Sequence, residues 1–356
     1  MDSICLDQNY STTRLLTKEG ALIVENSYDN FPKELFLCEN EGRIGGGGLR
    51  TKGYFKHSYK KQGKNWLISD ANRRFGVPIE LILDKDGDEL VLITIITVVF
   101  NGEKFLEETI QSVINQDYQN VEYIIIDGGS TDGTLEIIRK YEHAIDYWVS
   151  EKDRGIFDAM NKGARLSKGS YLYMLNADDY LLPGALSCLS NEINSQVILP
   201  DVIYGNIFSL SKTGCKTFCP TPKSITKAYH FYNLPLHHPG AIIKSSVFRG
   251  LKGFSLTFRY SSDFDLFLRA FNDGFAFVKV NYSLSCMREG GLGTQNQEVA
   301  LLEFEKSLLI NNGSLIALCL CRFRRYLLIK KNSKSIFGVC VTKLHNYFMW
   351  IKYGRE

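Results

Sequence analysis

Between residues 91 and 175 the apolar positions of this chain alternate between two rhythms. Val91 to Val99 is β-branched or apolar at nearly every position, which suits a strand covered on both faces. After Phe100-Asn101-Gly102, the residues Leu106, Ile110, Val113 and Ile114 recur at the spacing of one helix face, with Asn101 placed to cap its start. Val121 to Ile126 reads as a second buried strand, and the turn from Asp127 to Thr134 leads into a helix carrying Leu135, Ile138 and Tyr141. Ile145 to Val149, residues 156–167 and Tyr171 to Leu175 continue the series as strand, helix and strand. Alternation at this pitch predicts right-handed βαβ units: an α/β protein with a Rossmann-like, mainly parallel sheet flanked by helices.

Elsewhere the rhythm fades. Residues 1–90 form an irregular N-terminal extension in which Gly45-Gly46-Gly47-Gly48 reads as a mobile connector, with no Gly-Lys-Ser/Thr after it to make a phosphate loop. Asp84 to Asp88 resembles a calcium loop but has Glu89 and Ile95 where Gly and Glu are required, so a turn after Ile79 to Leu83 is the simpler reading. Beyond Pro183, Val202 to Ile207 is a strand and Cys219 to Pro239 a loop region containing histidines. Asp263 to Ala270 is a helix entered through Ser261-Ser262 and ended at Gly274; Phe275 to Val280 and Ser283 to Met287 are strands. The division is therefore 1–90 extension, 91–295 α/β domain, and 296–356 basic helical tail.

Composition narrows the class. At 356 residues, 44% hydrophobic and 23% charged, the chain is globular and long enough for one large α/β domain with appendages. A net charge of +3 singles out no partner, and no nucleic acid is expected. Residues 300–356, however, carry Lys306, Arg322, Arg324, Arg325, Lys330, Lys331, Lys334, Lys343, Lys352 and Arg355 against Glu303, Glu305 and Glu356. The run Leu315 to Cys321 is too short to span a bilayer; apolar, aromatic and basic residues so mixed suit either a helix at an anionic membrane surface or a basic packing helix. Nine cysteines without a CxxC pair argue against a disulfide framework and structural zinc, and for a reducing cytoplasmic compartment. Met1 to Cys5 lacks the features of a signal peptide, so export is not expected.

Candidate chemistry centres on Asn176-Ala177-Asp178-Asp179, where an apolar strand runs into two adjacent carboxylates. Open α/β sheets bind ligands beyond the carboxyl ends of their strands, and hard divalent cations take carboxylates together with substrate phosphates. Taken alone, the pair reads equally as a cap on the segment after it.

In their order, five motifs resemble the family 2 glycosyltransferases of GT-A fold: Thr97 to Gly102, Asp127 to Thr134, Gly155 to Gly163, Asn176 to Asp179, and Asp263 to Leu266. The likeness covers roughly residues 91–292 and is nearest to bacterial enzymes that build surface polysaccharides such as O-antigen. It implies a nucleotide-sugar donor, UDP favoured, and a glycan acceptor, lipid-linked, reached at the cytoplasmic face of the inner membrane. Val98, Val99 and Phe100 would lie against the nucleobase, with Asp127 hydrogen-bonded to it. Asp178 would lie near the ribose or metal, Asp179 would be the principal ligand of a Mn²⁺ or Mg²⁺ ion, and Asp263 would be the catalytic base, a role compatible with a helix cap. His238 falls where relatives place a histidine in the cleft, though it reads equally as a loop residue. Ser262 stands where an acid is usual, and Met160 where the family has arginine, which leaves Arg154 or Lys162 as phosphate partners. The absence of the Gln-x-x-Arg-Trp motif implies one sugar per encounter. Phe100-Asn101-Gly102-Glu103 is unlike the glycine-rich loops of pyrophosphorylases and dehydrogenases; a catalytically silent sugar-binding or scaffolding subunit is the alternative from another class.

Overall fold

Ile93–Val99, the first expected strand, is buried at every position, as its apolar pattern requires. The computed structural model describes residues 10–18, 31, 34–62, 65–68, 89–225, 236–291 and 295–332. Its strands are β1 (Arg43–Gly47), β2 (Tyr59–Gln62), β3 (Asn65–Ile68), β4 (Glu89–Leu90), β5 (Ile93–Val99), β6 (Val121–Asp127) and β7 (Tyr147–Glu151). There follow β8 (Tyr171–Asn176), β9 (Tyr180–Leu181), β10 (Val202–Leu210), β11 (Lys216–Cys219), β12 (Ala241–Lys244) and β13 (Phe277–Arg288). The helices are α1 (Leu106–Ile114), α2 (Thr134–Lys140), α3 (Ile156–Leu166), α4 (Ala185–Ser195), α5 (Ser245–Gly250), α6 (Ser262–Asn272), α7 (Gln297–Ile310) and α8 (Leu315–Asn332).

The large sheet has the order β1-β7-β6-β5-β8-β12-β10-β13-β9, with β11 on β10. β7, β6, β5 and β8 are parallel. β12 opposes both of its neighbours, so β10 and β13 again run in the direction of β5. The carboxyl ends of β5, β6, β7, β8, β10 and β13 therefore share one edge. The chain builds from β5 through β6 to β7 on one side and places β8 on the other, which opens a crevice at the end of β5. α3 lies close on β5 because residue 163 is glycine: a Cβ there would stand 2.4 Å from Ile96 Cγ2.

Several expectations are corrected. The four-glycine stretch is no connector: Gly45, Gly46 and Gly47 lie in β1, an edge strand antiparallel to β7, pairing Gly46 with Val149 and Gly47 with Trp148. Its lack of side chains admits Trp148, since a Cβ on Gly47 would fall 2.8 Å from the indole Nε1 and 2.5 Å from Glu142 Oε1. Beyond it, Arg50 forms a fully buried ion pair with Glu122 (2.7 Å) and donates to the carbonyls of Leu35 and Leu166. This part of the extension is thus woven into the α/β core. Asn101 does not cap α1; its backbone is left-handed (φ 51°) and its Oδ1 accepts from Thr131 N. The two strands expected around residues 275–287 are one, β13, with a register shift opposite Tyr204 and Asn206. The tail does not begin apart from the domain: Phe304 of α7 stacks on Phe264 of α6 with ring centroids 4.1 Å apart, and Ser307 and Asn311 donate to Asp265. The expected turn around Asp84 to Asp88, residues 226–235 of the histidine-containing loop, and tail residues 333–356 lie outside the described residues.

Candidate active site

β8 delivers its terminal polar residues to the crevice edge. Asp178 and Asp179 follow in a turn closed by Asp179 N donating to Asn176 O (3.1 Å). They cap no helix, because the next segment is β9 and α4 begins only at Ala185 with Gly184 at its cap. Asp179 is 1% exposed and accepts from Arg288 N (3.0 Å) and Asn176 Nδ2 (3.3 Å). Asp178 is only partly buried, and Asp179 braces the turn beneath it. Burial pushes both carboxyls up, Asp179 to about 7, where the neighbouring Asp178 charge adds to the effect. Arg288, which no motif singled out, donates to Asp178 O and Glu108 while its guanidinium sits 4.3 Å from the Phe105 ring centroid.

Opposite this turn, a short 3₁₀ helix holds His238, Pro239 and Gly240. Pro239 O accepts from Tyr173 OH of β8 (2.5 Å) and from Ser285 Oγ of β13, which fixes the turn across the two halves of the sheet. His238 Nδ1 lies 3.4 Å from Asp263 Oδ2. Asp263 itself stands in the first turn of α6, its Oδ1 accepting from Phe264 N (2.8 Å), while the cap position is taken by Ser261, whose side chain makes no capping hydrogen bond. Ser262, where an acid was expected, is buried with its hydroxyl donating to Ser255 O. Two buried atoms here, His238 Nε2 and Asn176 Oδ1, have no hydrogen-bond partner among the described residues. No group of three His, Cys, Asp or Glu among the described residues is placed to hold a metal ion.

On the other side of the crevice, Val98 and Val99 are buried under the strand end, while Phe100 is 65% exposed and faces solvent at the edge. Asp127 is corrected as a base contact. It is wholly buried, and its carboxylate already accepts from Gly129 N, Ser130 N, Ser130 Oγ and Ser150 Oγ (2.6 Å). It shapes the loop after β6 and leaves no acceptor facing out. Lys162 and Arg154 are likewise engaged: Lys162 Nζ is held by Glu151 (2.9 Å), and Arg154, 75% exposed, pairs with Asp158 (2.7 Å).

Residues 94–252 match the sequence family Glycosyl transferase family 2. An uncharacterized glycosyltransferase of Haemophilus influenzae is 31% identical over 188 residues, covering 49% of this chain and 58% of the relative, so the chain spans little more than half that protein's length. The putative glycosyltransferase EpsE of Bacillus subtilis is 27% identical over 207 residues, covering 55% of this chain and 73% of EpsE. Among solved structures, residues 1–349 of S. aureus TarS superpose with a TM-score of 0.53 at 17% identity, covering 68% of this chain and 73% of that one. A second TarS structure, in complex with UDP-GlcNAc, gives a TM-score of 0.50 at 17% identity, covering 64% and 69%. Motif order, sheet topology and these relatives agree: residues 94–252 are similar to the family 2 glycosyltransferases, and the chain shares the fold of TarS.

Proposed function

We propose that the chain transfers a single sugar from a nucleotide-diphosphate sugar to a hydroxyl of a glycan acceptor, by metal-dependent displacement with inversion. The observation that carries this reading is the contact of His238 Nδ1 with Asp263 Oδ2 (3.4 Å), next to Pro239, whose carbonyl is hydrogen-bonded to Tyr173 of β8, the strand that leads into Asp178 and Asp179. Asp263 accepts the proton of the acceptor hydroxyl as that oxygen bonds to the anomeric carbon. The bond from the anomeric carbon to the diphosphate oxygen breaks, and the nucleoside diphosphate departs with the electron pair. His238 orients Asp263 through Oδ2. Asp179, together with Asp178 in the same turn, would hold Mg²⁺ or Mn²⁺, whose positive charge would offset that of the leaving diphosphate. UDP is the favoured carrier, since TarS shares the fold and binds UDP-GlcNAc.

The acceptor is read as a lipid-linked glycan of bacterial surface polysaccharide synthesis, met at the cytoplasmic face of the membrane. Supporting this, α8 turns Leu315, Ile316, Phe323, Tyr326 and Ile329 outward, with Arg322 exposed on the same side. No helix among the described residues is long and apolar enough to cross a bilayer. Co-sedimentation with vesicles containing anionic lipid, lost in Ile316→Glu, tests the surface contact; equal sedimentation of both proteins would remove it.

The catalytic reading is tested by nucleoside diphosphate release from a panel of UDP-, GDP- and dTDP-sugars, with and without Mn²⁺. Loss of the general base in Asp263→Asn should slow turnover by roughly 10²–10⁴-fold. Equal rates would remove Asp263 as base, and no release with any donor would favour a silent scaffold.

A further inference from the structure

The base side of the crevice has lost the acceptor that sequence reasoning assigned to it, because Asp127 is sealed under its own loop. Another carboxylate stands nearby. A Cβ built on Gly128 would lie 2.6 Å from Asp153 Oδ2 and 3.5 Å from Phe100 Cδ2, so Asp153 occupies the volume that a side chain at 128 would otherwise fill. Its Oδ1 is fixed by Gly155 N (2.8 Å), whereas Oδ2 accepts no hydrogen bond among the described residues. The carboxylate is therefore held in place with one oxygen over a bare glycine, next to an exposed aromatic ring at the sheet edge. Ile44 of β1 and Lys152 border the adjoining Gly129.

We propose that Asp153 is the residue that reads the donor's nucleobase, with Oδ2 accepting a ring N–H while the base lies against Phe100. This rests on the nucleotide-donor reading above and deepens it. A carboxylate is an acceptor only, so it selects bases with a ring N–H at their pairing edge, such as uracil, thymine or guanine. Cytosine and adenine present a ring nitrogen lone pair there, which would repel it. Stacking on Phe100 would add a contribution that does not depend on the base. Burial already pushes the Asp153 carboxyl up, and a donated N–H would compensate the half-buried charge.

Calorimetric titration with UDP and with N3-methyl-UDP separates the possibilities. Wild type should bind UDP about tenfold or more tighter than the methylated analogue, as a hydrogen bond to a charged group implies. Asp153→Ala should bind both at the weaker level, without discrimination. Gly128→Ala, which retains Asp153 but displaces its carboxylate, should do the same, and this second variant guards against a folding defect in the first. Should GDP be the nucleotide bound, N1-methyl-GDP takes the place of the methylated UDP. Asp153→Ala retaining wild-type affinity, or still discriminating against methylation, overturns the assignment while leaving the nucleotide site intact. If wild type binds none of UDP, dTDP and GDP, the donor reading itself falls.

Discussion

Replacing Arg50 by Met tests whether the segment ahead of β5 is integral to the domain. The guanidinium is 2% exposed and donates to Glu122 Oε1 (2.7 Å), Leu35 O (2.8 Å) and Leu166 O (3.0 Å). Methionine approximates its volume but provides no donor, so Glu122, itself 1% exposed, would keep its charge with only Thr94 Oγ1 (2.6 Å) and Lys168 N (2.8 Å) as partners. Breaking a buried ion pair from one side costs about 3–5 kcal/mol, and the carbonyls left unpaired add to it. Against a total stability of about 5–15 kcal/mol for an ordinary domain, such a loss moves the urea midpoint far down. The assay is equilibrium urea unfolding followed by tryptophan fluorescence, which Trp148 on β7 reports. The slope with denaturant should stay unchanged. Arg50→Met combined with Glu122→Gln should recover at least half of the loss, because no uncompensated charge then remains. A loss under about 1 kcal/mol, or no recovery in the double variant, would refute the view that this pair ties the extension to the sheet.

Three further outcomes are expected. Asp179 has its folded pKa raised to about 7, so its contribution to stability is full at low pH and is lost as pH rises through that value; Asp179→Asn should therefore gain on wild type between about pH 4 and 7.5 in metal-free buffer, by a few kcal/mol at most, measured by urea midpoints at each pH. Gly163→Ala should destabilise by about 1–3 kcal/mol through the collision of its Cβ with Ile96, and a neutral result in thermal melts would mean that α3 can shift on β5. Phe304→Ala removes the ring stacked on Phe264, next to Asp263, and should cost about 3–5 kcal/mol of stability. It should also lower turnover in steady-state assays at a temperature where the variant remains folded; unchanged turnover there would mean that α7 does not support the base.

The strands and helices from residue 93 to 176 were legible because their burial follows from local pattern: β-branched runs for β5 and β6, helical spacing for α1 and α3. β1 was not. A run of glycines carries no hydrophobic signal, and its strand conformation depends on pairing with β7 and on space demanded by a distant Trp148. Asp178, Asp179, His238 and Asp263 were singled out by residue type and motif order, yet the contact between His238 and Asp263, 25 positions apart, is set by how the 3₁₀ turn spans β8 and β13. Residue type misled at Asp127, because burial of a carboxylate is a tertiary property. Arg288 and Asp153 gave no signal at all. One is a lone arginine at a strand end, and the other owes its position to a side chain missing at Gly128.

The course of β1 bears on where this protein can be cut. A fragment trimmed to the stretch that matches the family, from residue 94 onward, would strip the flank from β7 and uncover both its free amides and the indole of Trp148. Bare strand flanks of this kind recruit other chains. Such a fragment should self-associate in solution, and the boundary of the folding unit therefore lies upstream of Arg43, well before the region that sequence similarity delimits.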